Sequence, residues 1–247
     1  MPRITDQAIC IRLIDWSETS QILALLTEQH GVLRGIAKGA KRFSPSSIAR
    51  YSGGIELLTM GEVVAHVKPS ADLANVTEWD LQEPWWHLRR NLAAHRLGLY
   101  GADLIGAMLA EHDPHPNCFA ALRKMLEASR DTDTREETLL QFQWDVLRDC
   151  GYQPELASDV HNGQPLPDRG TYQFDPLQGG LTVDSTRNGW GVRQQTVRTL
   201  RSLSDGQPPT GDADALSRAN KLLCVYARAI LDRELPTMRF VLNGSNQ

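Results

Sequence analysis

The spacing of apolar residues changes period once along this chain, and the change falls at Pro84. Before it, apolar and polar residues alternate, the signature of half-buried strands; after it, apolar residues recur at helical spacing. Residues 7–15 (QAICIRLID), 20–28 (SQILALLTE), 32–38 (VLRGIAK) and 55–68 (IELLTMGEVVAHVK) read as strands, the last broken near Gly61. Residues 72–79 supply a fifth short one, and Gln29-His30-Gly31 is a tight connection between the second and third. Five short antiparallel strands suit a small barrel, because closure removes the sheet edges that would otherwise recruit another chain.

Past Pro84, residues 85–111 are rich in Leu, Ala and Trp at helical spacing, and 117–130 form a second amphipathic stretch. Thr134-Arg135-Glu136-Glu137 is a capping-box signature for a helix ending before Gly151. Residues 152–190 are broken by Pro and Gly, which predicts turns with short strands at Thr171–Phe174 and Leu181–Val183. Helical pattern returns at 193–204; a loop with Pro208-Pro209 follows, and 213–233 is the last helix.

Charge points to a function for the first part. The chain is acidic by four charges, yet between Gln29 and Ile55 it carries Arg34, Lys38, Lys41, Arg42 and Arg50 and no acid. Residues 1–80 as a whole hold eight basic and nine acidic side chains, so any polyanion site is a local patch. On the third strand Leu33, Gly35 and Ala37 face one side, and Arg34, Ile36 and Lys38 the other; the basic loop 39–50 follows directly. Lysine and arginine neutralise phosphates and release counterions with little sequence preference. These five residues are therefore the candidate nucleic-acid contacts, with Phe43 and Tyr51 beside them as surfaces on which bases could stack. The expected fold is α+β and multidomain. An OB-fold β-barrel spans residues 1–80, and a helical domain spans 84–247 with an irregular insert at about 152–190.

Trp16-Ser17-Glu18-Thr19-Ser20, Leu26-Thr27-Glu28, Gly31 and Ala37-Lys38-Gly39-Ala40 resemble, in order and spacing, the amino-terminal domain of the bacterial recombination mediator RecO. Glu234-Leu235-Pro236-Thr237-Met238-Arg239 is similar to the end of that family. The resemblance implies a non-enzymatic DNA repair and recombination mediator without cofactor. Such a protein binds single- and double-stranded DNA, anneals complementary strands and promotes recombinase loading. It implies two protein partners, the single-stranded-DNA-binding protein through its acidic C-terminal tail, and RecR. Leu122, Met125 and Leu126, with Arg123 and Lys124 beside them, would suit such a tail; the same residues would equally serve as a core face and its rim. Many RecO-like proteins also carry two cysteine pairs that form a closed zinc site. Here those positions are Asp159 and Asn162, then Val183 and Thr186, so the insert is expected to be zinc-less and held by hydrogen bonds and packing.

Other chemistries find little footing. There is no G-x-x-x-x-G-K-[ST], no G-x-G-x-x-G opening a helix and no G-x-S-x-G. Gly35, Gly39, Gly53 and Gly54 suit turns and barrel bends. His112 and His115 flank an Asp-Pro turn without a third ligand at metal spacing, and His87 and His95 lie too far apart for an i,i+4 pair. Glu136 and Glu137 complement a helix N-terminus. Trp85 and Trp86 suit a seal at the start of the helical region. Cys10, Cys118, Cys150 and Cys224 are far apart and read as free thiols. No apolar run reaches membrane-span length, and the first residues lack a secretory pattern. A cytoplasmic, nucleoid-associated protein is expected, with no membrane partner. An RNA-binding barrel serving ribosome or tRNA metabolism is the alternative, and an enzyme with an unrecognised site a third.

Overall fold

The computed structural model describes residues 2–68, 70–185 and 189–243. The chain divides into two compact units, Met1–Arg130 and Asp131–Gln247.

The first unit begins with strands β1 (Arg3–Asp15), β2 (Gln21–Thr27) and β3 (Gly31–Ala37), then a short helix α1 (Pro45–Tyr51). Strands β4 (Met60–His66) and β5 (Ala74–Glu83) follow. Hydrogen bonding runs β1-β2-β3-β5-β4 and returns to β1, closing a barrel. All pairs are antiparallel except β3 with β5. That parallel closure depends on Gly35, since a Cβ there would lie 2.7 Å from the Val76 side chain. The barrel is filled by Leu23, Leu25, Leu33, Val63, Val76 and Trp79 among others. Cys10 lies fully buried within it, and burial pushes its thiol up to about 12.

Three details of the barrel differ from the sequence reading. The loop 39–50 is half helix. Ser44 caps α1 by accepting the Ser47 N–H, and Pro45, preset for a first helical turn, starts it. Of the expected strand 55–68 only Met60–His66 forms, with a register shift against β5 at Met60–Gly61, where the break was expected; Ile55 and Leu58 are buried in the connection before it. The fifth strand runs on to Glu83; Val76 and Trp79 are both buried but lie three residues apart, across a register shift against β4, so the alternation changes phase within it.

Helices α2 (Trp86–Arg90), α3 (Leu92–Met108) and α4 (Pro116–Ala128) complete this unit, with α3 packed on β1 and α4 on β2. The single helix expected over 85–111 is interrupted at Asn91. Its backbone is extended (φ −126°, ψ 109°) while its side chain accepts the Ala94 N–H at 3.1 Å. Trp85 is buried, whereas Trp86 is 56% exposed under the Arg89 guanidinium.

The second unit holds α5 (Arg135–Asp149), a three-stranded sheet, α6 (Gln194–Ser204), α7 (Ala213–Leu231) and α8 (Arg239–Leu242). The sheet comprises β6 (Thr171–Asp175), β7 (Gly180–Thr182) and β8 (Trp190–Arg193) in the order β7-β6-β8. Helix α5 starts after Thr134 as its sequence predicts, but the Thr134 side chain makes no cap bond. Helix α7 is not the last, because a single turn, α8, follows it. Between α5 and α7 the Gln143 amide donates to Asn220 Oδ1 at 2.8 Å, and Asn220 donates to the Glu136 carboxylate at 2.7 Å. The sheet meets α7 through Phe174, edge-on to Tyr226 with centroids 5.0 Å apart. No disulfide joins any of the four cysteines, all of which are among the described residues. No described helix is long and apolar enough to cross a membrane.

Candidate nucleic-acid interface

Strand β3 sorts its side chains as the alternation requires. Leu33, Gly35 and Ala37 are buried, Arg34 and Lys38 are exposed, and Ile36 lies between. After Ala37 the chain turns through Gly39, whose φ of 79° is the left-handed backbone that glycine adopts without penalty. The turn is closed by the Arg42 N–H donating to Gly39 O at 3.0 Å. It is anchored sideways by the Lys41 N–H, which donates to Thr19 O at 3.2 Å. Thr19 belongs to the β1–β2 turn, itself held by Ser17, whose hydroxyl accepts the N–H groups of Thr19 and Ser20 at 3.3 and 3.1 Å.

The two turns and the end of α1 form an open groove of about 370 Å³, lined by Trp16, Thr19, Ile36, Lys38, Arg42 and Arg50 among others. No carboxylate lines it among the described residues.

The five basic candidates therefore separate. Lys38, Arg42 and Arg50 line the groove. Arg50 is steadied there by Nε donating to Ser46 O at 3.2 Å and by the Tyr51 ring 5.5 Å beneath its guanidinium. Lys41 pairs with Asp15 at 3.0 Å, and Arg34 with Glu111 at 3.2 Å, so neither brings its full charge to the groove. Of the two aromatic candidates, Tyr51 is not a stacking surface. It is 1% exposed, and its hydroxyl donates to backbone carbonyls, 3.1 Å from Val76 O and 3.2 Å from Lys38 O. Phe43 is 93% exposed but is not among the lining residues. Trp16, which the sequence marks only as the first residue of a motif, is 66% exposed and forms one wall. An aromatic residue opening the turn beside the basic segment was the available signal.

The apolar triplet on α4 does not form an open groove. Leu122, Met125 and Leu126 are at most 1% exposed and make the helix's core face.

In the second unit, the positions matched to zinc ligands carry a different chemistry. Asp159 is 2% exposed, and both its carboxylate oxygens are engaged. Oδ2 accepts from the Thr182 hydroxyl at 2.9 Å and the Val183 N–H at 2.8 Å, and Oδ1 accepts the His161 N–H at 2.9 Å. Asn162 Oδ1 accepts the Gln164 N–H, and the Val183 side chain has no donor atom for a metal. Thr186 lies outside the described residues. This set does not fit a closed four-ligand zinc site. Next to it, His161 Nε2 lies 2.8 Å from Asp175 Oδ2. Burial pushes the Asp159 carboxyl up. The donors from Val183, His161 and Thr182 outweigh it and hold the group below its ordinary range. For Asp175, burial is likewise outweighed by the His161 ring and the N–H groups of Leu177 and Gln178.

Comparison with known proteins covers nearly the whole chain. A family model described as "Recombination protein O N terminal" matches residues 1–85, and "Recombination protein O C terminal" matches 89–244. The chain is similar to the DNA repair protein RecO of Myxococcus xanthus, 26% identical over 98% of both chains. It is also similar to that of Salinibacter ruber, 31% identical over 70% of this chain and 68% of the relative. The RecO of an Anaeromyxobacter species (strain Fw109-5) is 28% identical over 72% of this chain and 68% of its own.

Proposed function

The chain belongs to the RecO family of recombination proteins, and from that premise we propose that it is a non-catalytic mediator of DNA repair and recombination. It binds single- and double-stranded DNA, promotes annealing of complementary strands and assists recombinase loading. The observation that carries this reading is the acid-free groove on the barrel, where Lys38, Arg42 and Arg50 converge.

Two DNA strands repel one another through their phosphates. A cationic face that takes up one backbone lowers this cost when the second strand arrives, and released counterions supply the driving force. Residues 1–80 are the module for this step, and the helical region over 84–247, which runs through the end of the first unit and the whole of the second, serves protein partners. Those partners are the C-terminal tail of the single-stranded-DNA-binding protein, which brings the mediator to coated strands, and RecR. The setting is the cytoplasm at the nucleoid.

The test is a titration of labelled single-stranded DNA with the full chain over a range of salt, competed with RNA of the same sequence. The expected result is an affinity that falls linearly on log–log axes with salt, with DNA the better competitor. Annealing of complementary strands should be faster with the protein present. Salt-independent binding, or RNA displacing DNA more effectively than DNA itself, would replace this reading with another.

A further inference from the structure

Trp16 is exposed at the wall of the groove. A large aromatic side chain left two-thirds in water forgoes the burial that stabilises folded proteins. It is also not on a loose loop. Its own N–H donates to Ser20 O at 3.0 Å, and the turn is stitched by Ser17 and tied to the opposite wall through Thr19 and Lys41. The ring is therefore carried on a fixed base across from the cations of the groove.

The groove is two-sided in chemistry. Trp16 and Ile36 offer apolar surface; Lys38, Arg42 and Arg50 offer positive charge. A nucleotide has the matching halves, a flat base and an anionic phosphate. The volume, about 370 Å³, sits at the low end of small-ligand sites, roughly 300–1,000 Å³, and suits one such unit rather than a helix. We propose that Trp16 is a stacking platform for one unpaired base, and that it makes this groove select single strands over duplex. The inference rests on the reading that the groove holds a DNA backbone. Strand selection follows because a base inside a duplex already has both faces stacked on its neighbours, whereas an unpaired base can swing out onto the indole. The phosphate contacts are available to either form of DNA, so the cations set affinity and Trp16 sets the preference.

The experiment compares binding of an oligothymidylate and of a duplex of equal length by the full chain and four variants, Trp16→Ala, Trp16→Phe, Phe43→Ala and the double variant Lys38→Ala/Arg42→Ala. Each variant is first shown to melt like the parent. Loss of one base–aromatic stack should weaken oligothymidylate binding by Trp16→Ala roughly 5- to 140-fold and duplex binding by less than about twofold. Trp16→Phe should keep most of the affinity, and Phe43→Ala should keep all of the preference. Equal losses on both DNAs, no loss on either, or a selective loss in Phe43→Ala instead would overturn the assignment of Trp16. The double variant separates this from the broader reading. If it weakens both DNAs while Trp16→Ala changes neither, the groove binds DNA but Trp16 is no platform. If it changes neither, the groove is not the DNA site and both statements fall.

Discussion

The Asp159 carboxylate accepts the Val183 backbone N–H at 2.8 Å. These residues stand where the resemblance places one cysteine from each of two zinc-binding pairs. Two segments that a metal would tie together are tied by a charged hydrogen bond, reinforced by the Thr182 hydroxyl on the same oxygen.

Asp159→Ala strands a buried Thr182 hydroxyl and two backbone N–H groups. Losing the acceptor for several buried donors should cost on the order of 3 kcal/mol. Denaturant melting of the full chain should show this loss in the transition that reports on Asp131–Gln247. A variant melting with the parent would mean these bonds hold nothing.

Acid should remove the same contribution. The Asp159 and Asp175 carboxyls sit below their ordinary value of 3.8 in the folded chain, so the unfolded chain binds protons more readily. The stabilisation is complete above that value and fades as pH falls through the lower folded pKa. The stability gap between parent and Asp159→Asn, measured near neutrality and again at about pH 3, should therefore narrow in acid. A constant gap would show that ionisation of Asp159 is irrelevant.

Metal removal should do nothing. A structural zinc site loses its folding free energy on chelation. Here the melting temperature should be unchanged by a strong chelator, and elemental analysis should find far less than one zinc per chain. A stoichiometric metal, or a collapse of the melting temperature, would refute the substitution of hydrogen bonds for metal.

The ion pairs beside the groove give a prediction of opposite sign. Asp15→Asn frees Lys41 and removes a nearby negative charge. An exposed pair of this kind is worth about 0.2–1 kcal/mol, so DNA affinity should rise by roughly 1.5- to 5-fold. Binding weakened by Asp15→Asn would place the DNA away from Lys41.

The barrel was legible because its strands are half-buried, and burial on one face imposes a period of two that survives in sequence. Where that pressure was absent, reading failed. The helix α1, PSSIARY, has no apolar stripe to set it apart from the loop 39–50. The end of β5 lies past the expected strand 72–79, where Asp80, Gln82 and Glu83 are exposed and Leu81 alone is apolar. The extended residue inside the 85–111 helix was invisible because Asn91 keeps helical spacing on either side. The basic segment was readable as composition, but its division was not. Nothing local reveals that Arg34 meets Glu111, 77 residues on, or that Lys41 turns back to Asp15. Tyr51 beside the loop suggested stacking; it is buried, with its hydroxyl hydrogen-bonded to Val76 O, 25 residues on, a contact that sequence neighbours do not encode.

The central claim is that phosphates sit on Lys38 and Arg42, and the salt dependence of single-stranded DNA binding tests it most directly. Removing both side chains should weaken binding to all sequences about equally and lower the log–log salt slope by roughly 0.7 per lost contact, about 1.4 in all. Thermal stability should stay at the parent value, because neither side chain is buried. A folded Lys38→Ala/Arg42→Ala variant with the parent's affinity and salt slope would contradict the account.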